Sequence, residues 1–304
     1  MIKQVIELQS EKTTERLKEI TDRLEQGVTD LFESDRYKEY LRVMSRFHRY
    51  SFNNTLLIAM QCPGATRLAG FQSWKKVGRH VKKGEKGIKV IAPTPFKKTV
   101  EEDGEEKVVA VPRYKVVSTY DISQTEGKPL PSIATPLTGN MERYDDFMAA
   151  LAQVSPVPIG FGDISGSAHG YYDLKEKRIA VREGMSEQQT LKTLIHEVSH
   201  AKLHDFDLKA PPDERPDIDR QTMECQAEAV AFVCCERFGL DTSGYSFGYI
   251  AGWSSDRELK ELRSSLEIIR NTAAEIIDSV EGCLQEMRQE VEPEEDMSGP
   301  AMAM

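Results

Sequence analysis

The 304-residue sequence has few cysteines, few aromatic residues and no long apolar segment. Its five cysteines are odd in number and form no CxxC pair, which favours reduced, mostly buried thiols over a disulfide framework. No apolar run approaches the roughly 20 residues that a membrane-spanning helix needs. The opening residues, MIKQVIELQSEKTTERL, lack the apolar stretch and cleavage site of a secretory signal. We therefore expect a cytoplasmic protein with no membrane partner.

The charge of the chain is unevenly distributed. The net charge is −10, yet the segment from Arg36 to Lys98 contains 15 Lys and Arg against only Glu39 and Glu85. This segment therefore carries +13 and the remainder of the chain −23. Positive charge concentrated in an acidic chain indicates a local anionic partner. The equally weighted alternative is a solvated basic face that keeps the domain soluble.

Periodicity and turn residues divide the chain into two α+β domains. Apolar residues at helical spacing predict helices over residues 1–33, 36–49, 142–154, 217–238 and 255–290, and after Ser186, with a short apolar element at 56–60. Runs of β-branched residues predict strands over 89–92, 114–117, 170–173 and 178–181, and a hairpin that turns at Asp103-Gly104. We expect an N-terminal domain with a hairpin and sheet over 1–125 (core 36–122), a linker over 126–140, a mainly helical domain with a small sheet over 141–290, and a disordered acidic tail over 291–304.

A metal-binding pattern lies in the C-terminal half. His196-Glu197-Val198-Ser199-His200 fits H-E-x-x-H, and residues four apart on a helix share one face, so both imidazoles can converge on one ion. Zinc acidifies a water molecule bound to it, and the carboxylate of Glu197 can accept the proton as the water attacks a carbonyl group. The alternative is a surface helix whose histidines bind nothing. The pattern predicts one Zn²⁺ per chain and Glu197 as the catalytic base.

The third zinc ligand has two candidates on the next predicted helix. Glu224 and Glu228 are four residues apart on a helix whose other face is apolar, and buried carboxylates require a counter-charge. We predict Glu224 as the ligand and Glu228 as the carboxylate that orients a ligating histidine, with the reverse assignment open. His204 lies about 12 Å from His196 along a continuous helix, so we assign it a supporting role. Three protein ligands are typical of catalytic zinc.

The basic segment mixes cations with aromatic rings and amides. Cations follow a phosphate backbone and aromatic faces stack on exposed bases, so the mixture favours single-stranded nucleic acid, whether DNA or RNA. The candidate contacts are Arg46, Arg49, Tyr50, Asn53, Asn54, Phe71, Trp74, Lys75, Lys76, Arg79, Lys82, Lys83, Lys86 and Lys89. For each aromatic ring taken singly, a place in the core is the commoner alternative.

Two parts of the chain resemble known families. The segment TLIHEVSHAKLH followed by ECQAEAVAFVCC resembles the zincin domain of ImmA/IrrE and ArdC-type metallopeptidases, whose third ligand is a glutamate on the next helix. The segment YSFNNTLLIAMQCPGATRLAGFQSWKKVGRHVKKGEKGIKVIAP, with YDISQTEGKPLP further on, resembles the N-terminal single-stranded-DNA-binding domain of ArdC-type antirestriction proteins. The resemblance implies a DNA-binding domain followed by a gluzincin-like zinc peptidase domain.

Three functions are compatible with these residues. The resemblance implies a protein of a plasmid or other conjugative element that binds transferred single-stranded DNA, protects it from restriction and carries a zinc metallopeptidase. A second hypothesis is a non-proteolytic DNA-binding protein with a structural zinc site. A third is a regulatory protease that cleaves a single partner protein. Four tyrosines are candidates for stabilising an oxyanion: Tyr171, Tyr172, Tyr245 and Tyr249.

Overall fold

The computed structural model of the protein describes residues 6–32, 34–102, 105–130, 144–245, 247–255 and 257–291. The chain divides into two compact units, Met1–Ile133 with Thr242–Arg270 and Ala134–Asp241 with Asn271–Met304. Helices and small sheets occur together, so the α+β class predicted from the sequence is confirmed. The domain, linker and tail boundaries stay predictions. The Asp103-Gly104 turn, most of the linker and the tail after residue 291 lie outside the described residues.

Three helices of the described ranges begin after a residue whose side chain caps the helix. Ser51, Ser186 and Asp219 each accept a hydrogen bond from the backbone N–H three residues on, which satisfies a donor that has no partner inside the helix. The helices are α1 (Thr13–Leu31), α2 (Ser34–Arg46), α3 (Phe52–Gln61), α4 (Phe71–Lys76), α5 (Tyr144–Val154), α6 (Glu187–Leu203), α7 (Arg220–Phe238), α8 (Ile250–Ser254) and α9 (Leu259–Val291). Within those ranges no helix is both long and apolar enough to cross a bilayer.

The strands form two three-stranded sheets and two separate pairs. They are β1 (Leu68–Gly70), β2 (Arg79–Val81), β3 (Ile88–Pro93), β4 (Phe96–Glu102), β5 (Glu105–Val111), β6 (Tyr114–Asp121), β7 (Thr125–Gly127), β8 (Ile159–Gly162), β9 (Gly170–Asp173) and β10 (Arg178–Arg182). The first sheet has the order β1-β6-β3 and is antiparallel. In the second, order β8-β10-β9, the central strand is parallel to β8 and antiparallel to β9. Strands β2 and β7 pair, as do β4 and β5.

The core of the first unit lies between its sheet and its helices. Ile88 and Val90, alternate residues of β3, pack in one cluster with Val43 and Phe47 from the α2 region and Ile58 of α3. Alternation places these two side chains on one face of the strand. The other face of β3 is therefore available to carry a different set of residues.

The later segment Thr242–Arg270 completes this unit. The ring of Phe247 lies 5.2 Å from that of Tyr37, and the ring of Trp253 lies 5.8 Å from that of Phe32. All four side chains are buried. Residues more than 200 positions apart thus share one hydrophobic core, which no local sequence pattern reveals.

The second unit places α6 against its sheet. Ile179, Ala180 and Val181 of β10 are buried, and Gly170 of β9 lies so close to α6 that an added Cβ would come within 2.7 Å of Thr193 Cγ2. The apolar face of the next helix, α7, is also buried. The ring centroid of Phe238 in α7 lies 4.9 Å from that of Phe147 in α5. This packing fixes α6, and the pattern it carries, between a strand and a helix.

Several element ends differ from the sequence-based predictions, and two of these differences are explained by hydrogen bonds. The predicted helix over residues 1–33 holds only from Thr13, because the backbone N–H groups of Gln9 and Ser10 donate to the carboxylate of Glu19 instead. The predicted start of the last helix at Ser255 is wrong, since α9 begins at Leu259 and the Ser255 hydroxyl donates to the Gly252 carbonyl. The elements missed altogether (α4, α8, β1, β2, β7 and β8) have three to six residues, too few to show a period.

Candidate metal centre

Three side chains from two helices converge in the second unit. The Nε2 atoms of His196 and His200 on α6 are 3.1 Å apart. Glu224 Oε2 on α7 lies 3.6 Å from His196 Nε2 and 3.4 Å from His200 Nε2. Donor atoms of these three residues form one of the two groups able to hold a metal ion within the described ranges. The residues that the sequence predicted as His–His–Glu ligands are therefore brought together.

The triangle of donor atoms fits a zinc ion. Two donors that each lie about 2.0–2.1 Å from one zinc at a tetrahedral angle are separated by about 3.3–3.4 Å, and the observed edges are 3.1, 3.4 and 3.6 Å. Two imidazoles and a carboxylate are also a donor set that zinc accepts. The residues present thus suit such an ion without rearrangement of either helix.

The charges at the centre favour a cation. Hydrogen bonds to His196 and His200 hold the pKa of Glu224 well below its usual range, so its carboxylate stays ionised. Burial alone would lower the pKa of His196, but the hydrogen bond to Glu224 and the charge of Glu197 together raise it. The carboxylates therefore favour positive charge on His196, which a proton can supply. A divalent ion would take the place of that proton.

A hydrogen-bonded chain fixes the orientation of His200. His200 Nδ1 lies 2.9 Å from His204 Nδ1, and His204 Nε2 lies 3.1 Å from Gln226 Oε1. The amide oxygen can only accept, so His204 carries its proton on Nε2; burial lowers the pKa of His204 to about 4, which keeps it neutral. Its Nδ1 must then accept from His200 Nδ1–H. This directs His200 Nε2 to the donor triangle, where its lone pair would face a bound ion.

Glu197 is buried beside the histidines but is not part of the donor triangle. Burial raises the pKa of its carboxyl group, and the backbone N–H of Tyr172 on β9 donates to it. The close approach of β9 at Gly170, where an added Cβ would lie 3.4 Å from Glu197 Cγ, brings that donor within reach. A buried carboxylate with a raised pKa is suited to accept and return a proton.

The other sequence-based candidates of this unit take different positions. Glu228, one turn beyond Glu224, is half-buried and its charge acts on His196; its orienting role stays a prediction. The Tyr172 hydroxyl donates to Asp205, 2.9 Å away, and Lys177 pairs with the same carboxylate. Tyr171 is exposed on β9. Gln226 and the Tyr172 amide form hydrogen bonds to His204 and Glu197 that the sequence did not predict, because neither has a recognisable spacing.

Several candidate nucleic-acid contacts in the first unit have structural hydrogen bonds. The Trp74 ring is only 2% exposed and its N–H donates to the Tyr120 carbonyl at 2.9 Å, so it offers no face to a base. Asn54 exchanges two 2.8 Å hydrogen bonds with the backbone of Ile91. Arg79 donates to the side chain and carbonyl of Thr125. These three residues hold the fold together.

Four of the remaining candidates donate hydrogen bonds and seven are exposed, with Lys82 and Lys86 in both groups. Arg46, Lys82, Lys86 and Lys89 donate to Pro63, Ser123, Glu7 and Ser118, respectively. Exposed side chains are those of Arg49, Phe71, Lys75, Lys76, Lys82, Lys83 and Lys86. Tyr50 and Asn53 are half-buried and line a surface cleft together with Arg49. The exposed side chains are therefore the candidates that remain accessible to a nucleic acid.

Substitution of Trp74 separates a structural role from a nucleic-acid role. We expect Trp74→Ala to lower the free energy of unfolding by about 3–5 kcal/mol, because a buried ring and its hydrogen bond are removed. Urea unfolding measures this, with the exposed Lys75→Ala as control, for which about 0.5 kcal/mol or less is expected. Unchanged stability combined with weaker binding of an oligonucleotide would show instead that Trp74 contacts the nucleic acid.

Two family models match the chain. Residues 10–120 match the N-terminal domain of anti-restriction factor ArdC, and residues 157–235 match the IrrE N-terminal-like domain. The first range covers α1 to β6, and the second covers β8, β9, β10, α6 and most of α7. All three residues of the donor triangle and Glu197 lie in the second range. The order of the two domains is the one that the sequence resemblance implied.

Individual proteins similar to this chain include one curated relative and two solved structures. The uncharacterised Bacillus anthracis protein pXO2-81 is 30% identical over an alignment of 324 positions, which covers 93% of this chain and 54% of that protein. The chain thus spans about half of its relative's length. The antirestriction ArdC protein from the R388 plasmid is similar in its metal-free structure (23% identity, TM-score 0.48, 79% of this chain and 86% of that one). Its Mn(II)-bound structure gives 20% identity and a TM-score of 0.49 over 88% and 96%.

Proposed function

The chain matches the N-terminal domain of anti-restriction factor ArdC and, after it, the IrrE N-terminal-like domain. From these matches we propose that it binds single-stranded DNA and hydrolyses peptide bonds. The observation that carries the proposal is the convergence of His196, His200 and Glu224 beside the buried Glu197. We further propose that it acts in the cytoplasm, where it protects DNA transferred by a plasmid or other conjugative element from restriction.

The proposed cofactor is one Zn²⁺ per chain, held by His196, His200 and Glu224. A bound zinc ion supplies a Lewis acid that polarises a carbonyl group and acidifies water. His204 and Gln226 act through His200, since their hydrogen bonds direct its Nε2 lone pair. Glu224 contributes a permanently ionised oxygen. Each of these contributions follows from a side chain whose position the packing of α6 against α7 determines.

Glu197 is the proposed general base. Its carboxylate is buried, lies next to both imidazoles along α6 and accepts a hydrogen bond from the Tyr172 amide. Burial raises its pKa and so increases its affinity for a proton taken from water. The same group can then return that proton to the leaving amine. The Tyr172 amide holds the carboxylate in place while it does so.

The exposure of the centre favours catalysis over a purely structural zinc site. The side chains of His196, His200 and Glu224 are 27%, 13% and 48% exposed. Structural zinc sites are closed by four protein donors, whereas catalytic ones have three and leave a position open. Within the described ranges the cluster at this place has three members. This supports the peptidase over the non-proteolytic alternative.

The proposed DNA-binding surface lies in the first unit, whose segment from Arg36 to Lys98 carries the +13 charge. Its exposed cations, Arg49, Lys75, Lys76 and Lys83, are suited to phosphate groups. Each phosphate contact releases condensed counterions, so binding should weaken steeply with salt. The partner is proposed to be DNA because of the family, not because a residue selects against the 2′-hydroxyl group.

The salt dependence of binding tests this half of the function. For about five contacted phosphates, we expect a slope of about −3.5 in log K against log salt, or roughly 100-fold weaker binding between 50 and 200 mM. Fluorescence anisotropy of the full-length protein with a labelled oligo(dT) measures the slope. A duplex of the same length is the control. No binding at 50 mM salt, or an affinity that does not change with salt, would contradict the proposal that the protein binds nucleic acid.

A further inference from the structure

A surface cleft of about 810 Å³ in the first unit is lined by residues suited to a nucleobase. Arg49, Tyr50 and Asn53 line one part of it, and Ile91, Pro93 and Tyr114 another; we call it the Tyr50–Tyr114 cleft. Ile91 and Pro93 lie on the face of β3 opposite to the core residues Ile88 and Val90, and Tyr114 is the cross-strand neighbour of Pro93. The sheet thus contributes the apolar residues Ile91 and Pro93 and the ring of Tyr114 to the cleft.

The walls of the cleft are held by hydrogen bonds. The Asn54 side chain is bonded twice to the backbone of Ile91. Arg263 Nη2 donates to Asn53 Oδ1 at 3.0 Å, and Arg270 Nη1 donates to the Tyr50 carbonyl at 3.2 Å. Both arginines come from the late segment that completes this unit. A cleft whose walls are fixed in advance loses little conformational entropy when a ligand enters.

The two tyrosines differ in exposure. Tyr50 packs edge-on against Phe47 at 5.4 Å between centroids and is half-buried, whereas Tyr114 is 51% exposed at the start of β6. An exposed ring at the mouth of an apolar cleft is available for stacking, and every base has a π-face that can stack on it. Tyr50 is a fixed part of the wall, and Tyr114 is the free platform.

The charge around the cleft is positive. Its lining residues in the described ranges include Arg49 and no carboxylate, although the chain as a whole carries −10. Arg113 and Lys115, which flank Tyr114 in sequence, are both exposed. The amino end of α3, capped by Ser51, also opens beside it, and a helix amino end attracts phosphate. Apolar lining with a cationic rim matches a base attached to a phosphodiester chain.

We propose that the Tyr50–Tyr114 cleft takes one base of a single-stranded DNA, with Tyr114 stacking on the base and Arg49 contacting an adjacent phosphate. The proposal rests on the proposed DNA-binding function and assigns it a place and a residue, Tyr114, outside the basic segment. The proposal assigns no contact with a base to Phe71, a half-exposed ring that the sequence had put among the candidates.

Binding of full-length protein to oligo(dT) and to a sugar-phosphate oligomer of equal length without bases tests the proposal. We expect Tyr114→Ala to weaken oligo(dT) binding by about 5- to 150-fold, Tyr114→Phe to retain it, and Tyr114→Ala to have no effect on the baseless oligomer. Arg49→Ala should reduce the salt slope by about 0.7, the share of one phosphate on a single strand, whereas Tyr114→Ala should leave the slope unchanged. Phe96→Ala, which removes an exposed ring outside the cleft, is the matched control.

The outcomes separate this inference from the proposed function. Suppose that wild-type protein binds oligo(dT) with a steep salt dependence but Tyr114→Ala binds equally well. The proposal that the cleft binds a base would then be wrong, while the proposed DNA binding would still be supported. A larger loss from Phe71→Ala than from Tyr114→Ala would also overturn the cleft. If the wild type binds no single-stranded DNA, both proposals fail. Circular dichroism of Tyr114→Ala, with the fold of Tyr114→Phe as reference, excludes loss through unfolding.

Discussion

Replacement of Glu224 by alanine is expected to abolish stable zinc binding. Glu224 Oε2 is the donor that closes the triangle with His196 and His200, at 3.6 and 3.4 Å from their Nε2 atoms. Loss of a direct ligand should weaken zinc binding by more than the about 10- to 100-fold that loss of an outer partner costs. We expect the zinc content of purified protein to fall from one ion per chain to nearly none. Elemental analysis after dialysis, and competition with a chromophoric chelator, measure it.

The matched control is Glu228→Ala on the same helix. Both changes remove one carboxylate from α7, four residues apart, but only Glu224 belongs to the donor triangle. We expect Glu228→Ala to retain zinc with at most the smaller loss of an orienting partner. The reverse result, with zinc kept by Glu224→Ala and lost by Glu228→Ala, would transfer the ligand role to Glu228. If both variants retain zinc, the proposed metal centre is wrong.

Replacement of Glu197 by glutamine is expected to stop catalysis while zinc stays bound. Glutamine retains the size of the side chain and can still meet the Tyr172 amide through its oxygen, but it accepts no proton from water. General-base catalysis contributes about 10²- to 10⁴-fold to rate, and we expect a loss of that size. Cleavage of a fluorogenic peptide library by the zinc-loaded protein measures it, together with zinc content.

Glu187→Gln makes the same chemical change at the first turn of the same helix and should leave cleavage unaffected. If the wild type cleaves no peptide, while removal of zinc lowers its melting temperature, the centre is structural. Protection of transferred DNA in a conjugation assay adds a second readout. Full protection by Glu197→Gln would show that proteolysis does not carry that role. Loss of one co-expressed partner band, prevented by Glu197→Gln, would favour the regulatory protease.

Local patterns predicted that the longest helices exist, though not where α1 and α9 begin, and they predicted the placement of the two histidines. The spacing of His196 and His200 guarantees that they share a face of α6, because four residues make little more than one helical turn. The capping residues Ser186 and the glycine at 239 mark helix ends through contacts within a few residues. Such features depend on neighbours in sequence, so the sequence alone predicts them.

Contacts between distant residues decided the rest. The sequence favoured Glu224 as the third ligand but left Glu228 open, and the packing of α7 against α6 placed Glu224 at the histidines. It gave no sign that Gln226 would meet His204 or that the Tyr172 amide would meet Glu197. Amide groups of this kind occur throughout any chain. They contribute to the centre only because the fold brings them next to His204 and Glu197.

The basic segment shows the same division between composition and position. Its sequence determined its strong positive charge and its number of aromatic rings, because both follow from residue type alone. The tertiary structure decided which aromatic rings can contact a ligand. Trp74 of the basic segment is buried and donates to the Tyr120 carbonyl, whereas Tyr114, outside that segment, is exposed and lines a cleft. Burial depends on what packs on a side chain from elsewhere in the chain, and that information exists only once the chain has folded.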